Sequence, residues 1–224
     1  MFKTDIARRP AATAANTVSG VVYVVDDDDL IRGALASLLR SIDLEVAAFG
    51  SAEQFLAAPK VPGPACLVLD VRLRGQSGLA LQKSLLEKGS GAMPIVFMSG
   101  HGDVAMTVEA MKAGAMDFLT KPFRDQDMID AVVAALERDA QRLAIDSSLG
   151  DLRERWASLT PREREVLVNV AAGLMNKQIA SKMGIAEVTV KIHRGQAMRK
   201  MNVRAVADLV RKTDALGVRP AHAN

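Results

Sequence analysis

Five polar residues stand at the ends of short apolar runs in the first half of the chain. They are three carboxylates, a hydroxyl and an ammonium group: Asp26, Asp27, Asp70, Ser99 and Lys121. Three carboxylates within a few ångströms of one another repel strongly unless a cation lies between them. Oxygen-only ligands suit a hard cation such as Mg²⁺. The set therefore predicts a magnesium site in which one carboxylate is left to attack phosphorus.

The remaining two groups complete the requirements of phosphoryl transfer, which depends mainly on positioning and charge neutralisation. Lys121 can neutralise phosphoryl oxygens, and Ser99 can hydrogen-bond one of them. A single Asp at a strand end often serves only as a turn or helix cap, and we expect that role for Asp28 and Asp29 in the first turn of a helix. The coincidence of all five groups at strand ends is what indicates a site.

The elements that must position these groups alternate between strand-like and helix-like patterns. Strands are predicted at 21–25, 45–49, 65–69, 94–98 and 115–119, and helices at 30–39, 51–58, 78–86, 104–113 and from 125 onward. Such alternation predicts a doubly wound, five-stranded parallel sheet with helices on both faces. In these sheets ligands bind outside the carboxyl ends of the strands.

The last third of the chain reads as helix throughout. Thr160, Pro161 and Glu163 form a capping box with Pro at the first helical position. We expect that helix to end at Gly173, a short helix capped by Asn176 to stop at Gly184, and further helices at 187–201 and 204–216. Two short helices joined by a Gly turn and followed by a basic helix form the helix-turn-helix pattern.

The distribution of charge divides the chain between the predicted sheet domain and the helical last third. Residues 21–145 carry 12 Lys and Arg against 17 Asp and Glu, whereas residues 156–224 carry 12 against 5. We therefore expect the acidic half to bind a cation and the basic half to bind a polyanion. The N-terminus lacks the apolar segment of a signal peptide, and no run approaches a membrane span. We therefore expect a cytoplasmic protein with no membrane partner, in which the lone Cys66 is a core residue.

Residues 21–123 resemble the receiver domain of two-component response regulators, the FixJ subgroup in particular. The matching stretches are Val25-Asp26-Asp27, Leu69-Asp70-Val71-Arg72, Ser77-Gly78-Leu79, Ser99-Gly100-His101-Gly102-Asp103, Met111-Lys112-Ala113-Gly114-Ala115 and Asp117-Phe118-Leu119-Thr120-Lys121-Pro122-Phe123. The resemblance implies a flavodoxin-like fold, phosphorylation of Asp70 by a histidine kinase, and a cis Lys121–Pro122 bond. It implies Mg²⁺ ligation by Asp26, Asp27, Asp70 and the Arg72 carbonyl, with Ser99 and Phe118 as the switch. Arg74 departs from the family, which commonly has Pro there, and adds charge beside the site.

Residues 156–218 resemble the LuxR/NarL-type DNA-binding domain. The matching stretches are Leu159-Thr160-Pro161-Arg162-Glu163-Arg164-Glu165-Val166-Leu167, Gly173-Leu174, Asn176-Lys177-Gln178-Ile179-Ala180 and Val188-Thr189-Val190-Lys191-Ile192-His193-Arg194. The resemblance implies that Lys191 and Ile192 face the major groove. The other predicted DNA-binding residues are Asn176, Lys177, Arg194 and Lys200. Ala186 replaces the usual Ser or Thr cap, so the start of that helix lacks a side-chain acceptor.

These observations predict a regulator rather than an enzyme. The expected order is a disordered tail at 1–20, a receiver at 21–143, a helical or partly flexible linker at 144–155, the DNA-binding domain at 156–218 and a tail at 219–224. Phosphorylation would drive homodimerisation and promoter binding, and contact with RNA polymerase is left open. Two alternatives remain: a phosphate relay or sink with weak DNA binding, and a regulator that binds DNA without phosphorylation.

Overall fold

The computed structural model describes residues 19–87, 93–100 and 104–218. The chain divides into two compact units at Leu143 and Ala144. None of the helices in the described ranges has the length and apolar character that crossing a membrane requires.

The first unit contains the predicted parallel sheet. Its strands are Val21–Val25 (β1), Glu45–Phe49 (β2), Ala65–Asp70 (β3), Ile95–Ser99 (β4) and Asp117–Thr120 (β5). They lie in the order β2-β1-β3-β4-β5, and every neighbouring pair is parallel. The helices are Asp29–Arg40 (α1), Ala52–Ala57 (α2), Gly78–Glu87 (α3), Val104–Lys112 (α4) and Asp125–Ala157 (α5).

Apolar residues cover both faces of this sheet, as the continuous apolar strands predict. Alternate residues such as Val22 and Val68 pack against α1 and the first turns of α5. The intervening residues, such as Tyr23 and Leu67, pack on the opposite face with α2, α3 and α4. Cys66 is fully buried in the first cluster, and burial raises the pKa of its thiol to about 12. It is a core residue, as expected.

Strand β5 begins two residues later than the sequence pattern predicts. The reason is the end of α4, because the N–H of Ala115 donates to the carbonyl of Ala110 in the last helical turn. Gly114 closes this turn with φ of 89°, a left-handed conformation that Gly adopts without strain.

The second unit is helical around one apolar core. It contains the end of α5 and four further helices: Pro161–Ala171 (α6), Asn176–Met183 (α7), Glu187–Lys200 (α8) and Val206–Ala215 (α9). Residues 144–155, which the sequence left open between helix and flexible linker, belong entirely to α5. Leu152 lies in the core of the second unit, so this segment contributes to its packing.

Helix ends in the second unit follow the predicted caps with one exception. Thr160 and Glu163 form the capping box at α6, and Gly184 ends α7 in the left-handed region. Asn176 was predicted as the cap of α7, but it is the first helical residue and Met175 is the cap. The side chain that satisfies this helix start is Gln178, whose Oε1 accepts from the N–H of Met175 at 2.8 Å.

Candidate functional site

The three predicted carboxylates meet at the carboxyl edge of the sheet. Val25 of β1 lies opposite Leu69 of β3 in the parallel register, so Asp26 and Asp70 follow at the same level. One carboxylate oxygen from each of Asp26, Asp27 and Asp70 lies within 4.8 Å of the other two. The donor set is all oxygen, and it comes from two buried acids and one half-buried acid. It therefore fits Mg²⁺, which prefers carboxylate oxygens and retains several waters.

Backbone groups hold two of these carboxylates in place. The N–H of Asp28 donates to Asp26 Oδ1 at 2.9 Å, and the N–H of Arg72 donates to Asp70 Oδ1 at 3.1 Å. Each bond leaves the other carboxylate oxygen, Oδ2, for a cation. Asp28 also caps α1, as predicted, by accepting from the N–H groups of Leu30 and Ile31.

Lys121 supplies a fixed positive charge between two of the acids. Its ammonium donates to Asp26 Oδ2 at 2.7 Å and to Asp70 Oδ2 at 3.0 Å. Burial alone lowers the pKa of Lys121, but the hydrogen bonds to the two carboxylates and their negative charges together outweigh burial and raise the pKa above its ordinary value. Burial raises the pKa of Asp26, and Lys121 offsets part of that rise. The Lys121–Pro122 bond is cis, as predicted.

Ser99 lies on β4, the strand next to that of Asp70, and Phe118 lies on β5, one strand further along the sheet. Ser99 is the last residue of β4, one step beyond the Met98 that pairs with Asp70, and it is fully buried. Phe118 of β5 is half-buried, and its ring centroid lies 6.2 Å from that of Phe97. Of the two predicted switch residues, Ser99 is therefore a sheet neighbour of the acidic cluster, whereas β4 separates Phe118 from Asp70.

The three acids of the cluster and Lys121 line a cavity of about 590 Å³. Arg72 and Gly100 contribute to its wall together with the three acids and Lys121. A site for Mg²⁺ needs such room, because the ion keeps several of its waters when it is bound by one or two carboxylates.

Two contacts at this site were not predicted from the sequence. Gly78 begins α3 against β3, where a Cβ would lie 2.3 Å from the carbonyl oxygen of Asp70. A Gly at the first position of a helix was the available signal, because it marks close backbone approach. The second contact is an ion pair of 2.8 Å between Arg74 Nε and Asp27 Oδ2. The sequence shows the departure from the family at Arg74, but it does not show which residue pairs with Arg74.

The second unit presents the predicted helix-turn-helix. Helices α7 and α8 are joined at Gly184, and Ala186 caps α8 without a side-chain bond, as expected. Lys191 and Ile192 project from the first two turns of α8, with 62% and 55% exposure. The Lys191 ammonium lies 3.4 Å from Glu187 one turn earlier, a contact weak enough in water to exchange for a polyanion.

The other predicted DNA-binding residues differ in their surroundings. Lys177 is exposed. Arg194 donates to the side-chain oxygen of Asn176 at 2.9 Å, so these two residues bridge α8 and α7. Lys200 donates to Glu163 Oε2 at 2.7 Å. Lys200 is thus exposed but paired with a residue of the protein itself, and its contact with DNA stays a prediction.

The Lys200–Glu163 pair attaches the end of α8 to the start of α6. Glu163 is only 3% exposed, and it also accepts from the N–H of Thr160 at 2.8 Å. Burial raises the pKa of Glu163, but the bonds from Lys200 and Thr160 outweigh burial and hold the pKa below its ordinary value. This pair therefore stabilises the folded second unit when Glu163 is ionised.

We expect Glu163→Gln to lower the free energy of unfolding of the second unit by about 1 kcal/mol at neutral pH. Gln keeps an oxygen for Thr160 but removes the charge that pairs with Lys200. Because the folded pKa of Glu163 is lowered, its contribution is complete above the ordinary value of 4.5 and is lost as pH falls through the folded pKa. The difference between the variant and wild type should therefore shrink in acid.

Urea unfolding followed by fluorescence of Trp156, which packs on the second core, measures this difference. Glu165→Gln is the control, because Glu165 is exposed and pairs with Arg162 on the surface. Equal destabilisation by the two variants, or a difference that does not change with pH, would contradict the assignment.

Comparisons with known proteins agree with this architecture. Residues 22–133 match the response regulator receiver domain, and residues 157–213 match the bacterial regulatory proteins of the luxR family. Nodulation protein W of Bradyrhizobium diazoefficiens is 50% identical over 94% of this chain and 92% of that protein. Transcriptional regulatory protein FixJ of Azorhizobium caulinodans is 44% identical over 89% and 94%. The solved structure of response regulator StyR is 47% identical over 87% and 98%, with a TM-score of 0.80.

Proposed function

Since this chain belongs to the two-component response regulators that join a receiver domain to a LuxR-type DNA-binding domain, we propose that a sensor histidine kinase phosphorylates Asp70 and that phosphorylation controls promoter binding. The observation that carries this proposal is the convergence of Asp26, Asp27 and Asp70 with the ammonium of Lys121. A cluster built only to cap helices would need neither the half-buried lysine nor the open cavity.

Each residue of the site has a place in the transfer. Asp26, Asp27, Asp70 and the carbonyl of Arg72 would hold Mg²⁺, which when bound neutralises phosphoryl oxygens. A carboxylate oxygen of Asp70 forms the new bond to phosphorus as the bond from phosphorus to the kinase histidine breaks. Lys121 already contacts Asp70 Oδ2, so its charge is present where the phosphoryl oxygens arrive. Ser99 then donates a hydrogen bond to one of these oxygens.

The proposed conformational switch couples Ser99 to Phe118. Movement of the Ser99 hydroxyl toward the phosphoryl group leaves space for the Phe118 ring to turn inward, which changes the surface of α4 and β5. We propose that this surface forms an isologous homodimer. Two linked DNA-binding domains would then engage half-sites about one helical turn apart.

The DNA-binding surface is proposed at the start of α8. A helix fits the major groove, and residues in its first turns reach base edges. The exposed Lys191 and Ile192 are at that position, and the surrounding net positive charge supplies phosphate attraction. We assign the receiver to residues 21–143 and the DNA-binding domain to 156–218, with 144–155 as a helical connection.

Selection from a pool of random DNA duplexes tests this proposal. The protein is treated with beryllofluoride and Mg²⁺, which mimic phosphorylation, and bound duplexes are amplified and sequenced. We expect enrichment of a sequence with two-fold symmetry. Equal enrichment without the mimic would favour the alternative of phosphorylation-independent binding. No enrichment under either condition would favour the phosphate relay and overturn the proposal.

We expect Lys191→Ala to weaken binding to the selected sequence by about 10-fold to 100-fold, and binding to random DNA far less. A good base contact provides about 1–3 kcal/mol of discrimination, whereas a phosphate contact adds to all sequences alike. Fluorescence anisotropy with both duplexes measures the two affinities. Arg162→Gln is the control, because this exposed residue on α6 pairs with Glu165. An equal loss on both duplexes would make Lys191 a phosphate contact only.

A further inference from the structure

Arg74 contacts the acid of the cluster that Lys121 does not reach. Lys121 neutralises Asp26 and Asp70, whereas the Nε of Arg74 lies 2.8 Å from Asp27 Oδ2. Arg74 follows Asp70 by four residues and lines the same cavity, with its side chain 89% exposed at the rim. Each of the three carboxylates therefore has a cation from the protein itself.

We propose that Arg74 is a positioning residue that holds the Asp27 carboxylate and competes with Mg²⁺ for it. The inference rests on the proposed function, because it requires Mg²⁺ to bind at these acids. Its consequence is regulatory: the guanidinium raises the Mg²⁺ concentration at which the site fills and at which Asp70 can be phosphorylated.

The physical basis is exchange of one cation for another at Asp27. A carboxylate oxygen in an ion pair with a guanidinium at 2.8 Å has to give up or share that contact when a metal takes it as a ligand. A guanidinium left beside the bound divalent cation also repels it, since like charges interact over this range. Both effects weaken Mg²⁺ binding, and removal of the Arg74 charge should relieve both.

Exposure limits the size of the effect. Asp27 is 22% exposed and Arg74 is 89% exposed, so water screens their pair. Exposed ion pairs contribute at most about 1 kcal/mol, which corresponds to about fivefold in affinity. We therefore expect Arg74→Gln to bind Mg²⁺ about threefold to tenfold more tightly than wild type, with repulsion included.

Calorimetric titration of the full chain with Mg²⁺ tests this prediction. Arg74→Lys keeps the charge, and a single Nε contact does not require the planar fork of arginine, so its affinity should stay near that of wild type. Arg124→Gln is the matched control, because Arg124 is an exposed arginine paired at 2.7 Å with Asp127, outside the cavity. Its affinity for Mg²⁺ should be unchanged.

A second readout separates competition for the metal from a change in chemistry. With acetyl phosphate as donor, Arg74→Gln should be phosphorylated faster than wild type at low Mg²⁺, and the difference should disappear at saturating Mg²⁺. A difference that persists at saturation would overturn the competition.

The outcomes distinguish this inference from the function on which it rests. Equal Mg²⁺ affinity in wild type and Arg74→Gln overturns the role of Arg74 and leaves the metal site intact. An equal gain in Arg124→Gln also overturns it, because the cause would then be net charge. Failure of wild type and every variant to bind Mg²⁺ overturns the metal site and this inference together.

Discussion

Asp70→Asn should abolish phosphorylation by acetyl phosphate in the presence of Mg²⁺, leaving only background labelling. An amide has no anionic oxygen to attack phosphorus, and it also removes one ligand of the predicted metal site. Asp70 lies at the end of β3 with one oxygen bonded to the N–H of Arg72 and the other to Lys121. Asp26 and Asp27 are held elsewhere in the cluster and should not replace it.

Mobility shift on phosphate-binding gels and intact mass measure the phosphorylated fraction. Asp43→Asn is a suitable control, since Asp43 is exposed in the same unit with φ of 63°, and Asn tolerates that left-handed conformation. It should be phosphorylated like wild type. Wild type treated with a Mg²⁺ chelator should resemble Asp70→Asn. Labelling of Asp70→Asn at the level of wild type would show that the phosphoryl group is carried elsewhere.

Beryllofluoride with Mg²⁺ should convert the protein from monomer to dimer and raise its affinity for the selected DNA by about 100-fold or more. The DNA gain arises because a second linked domain binds at high effective concentration, which strengthens binding by about 10²–10⁴-fold. The surface of α4 is suited to self-association, because Val104, Val108 and Met111 are exposed apolar residues there. Ala110 and Ala115 of the same segment are buried in the core instead.

Sedimentation velocity and fluorescence anisotropy, each with and without the mimic, measure the two effects. Val108→Asp should weaken dimerisation because it places a charge on the proposed contact surface. Leu56→Asp, on the exposed surface of α2, introduces the same change away from α4 and β5 and serves as the control. A protein that stays monomeric while it binds DNA tightly, or that is equally dimeric without the mimic, would contradict gating by dimerisation.

The sequence by itself determined the architecture and the edge of the sheet at which the site lies. Parallel strands place their carboxyl ends at one edge, so residues after apolar runs had to approach one another there. Most helix ends could also be predicted from the sequence, because the caps at Asp28, Thr160 and Gly184 depend only on neighbours within a few residues. The predicted cap at Asn176 was wrong, because the helix begins at Asn176 itself and its side chain accepts from Arg194, 18 residues away.

The tertiary structure alone decided which charges meet. Lys121 reaches Asp26 across 95 residues of sequence, and Lys200 reaches Glu163 across 37. Periodicity specifies the face of an element that is buried, but it does not specify the rotamer of a long side chain at the rim. Arg74 shows the physical reason most clearly. Its position in the sequence predicted a charge beside the site. Its contact with Asp27, however, depends on how the loop after β3 folds toward β1.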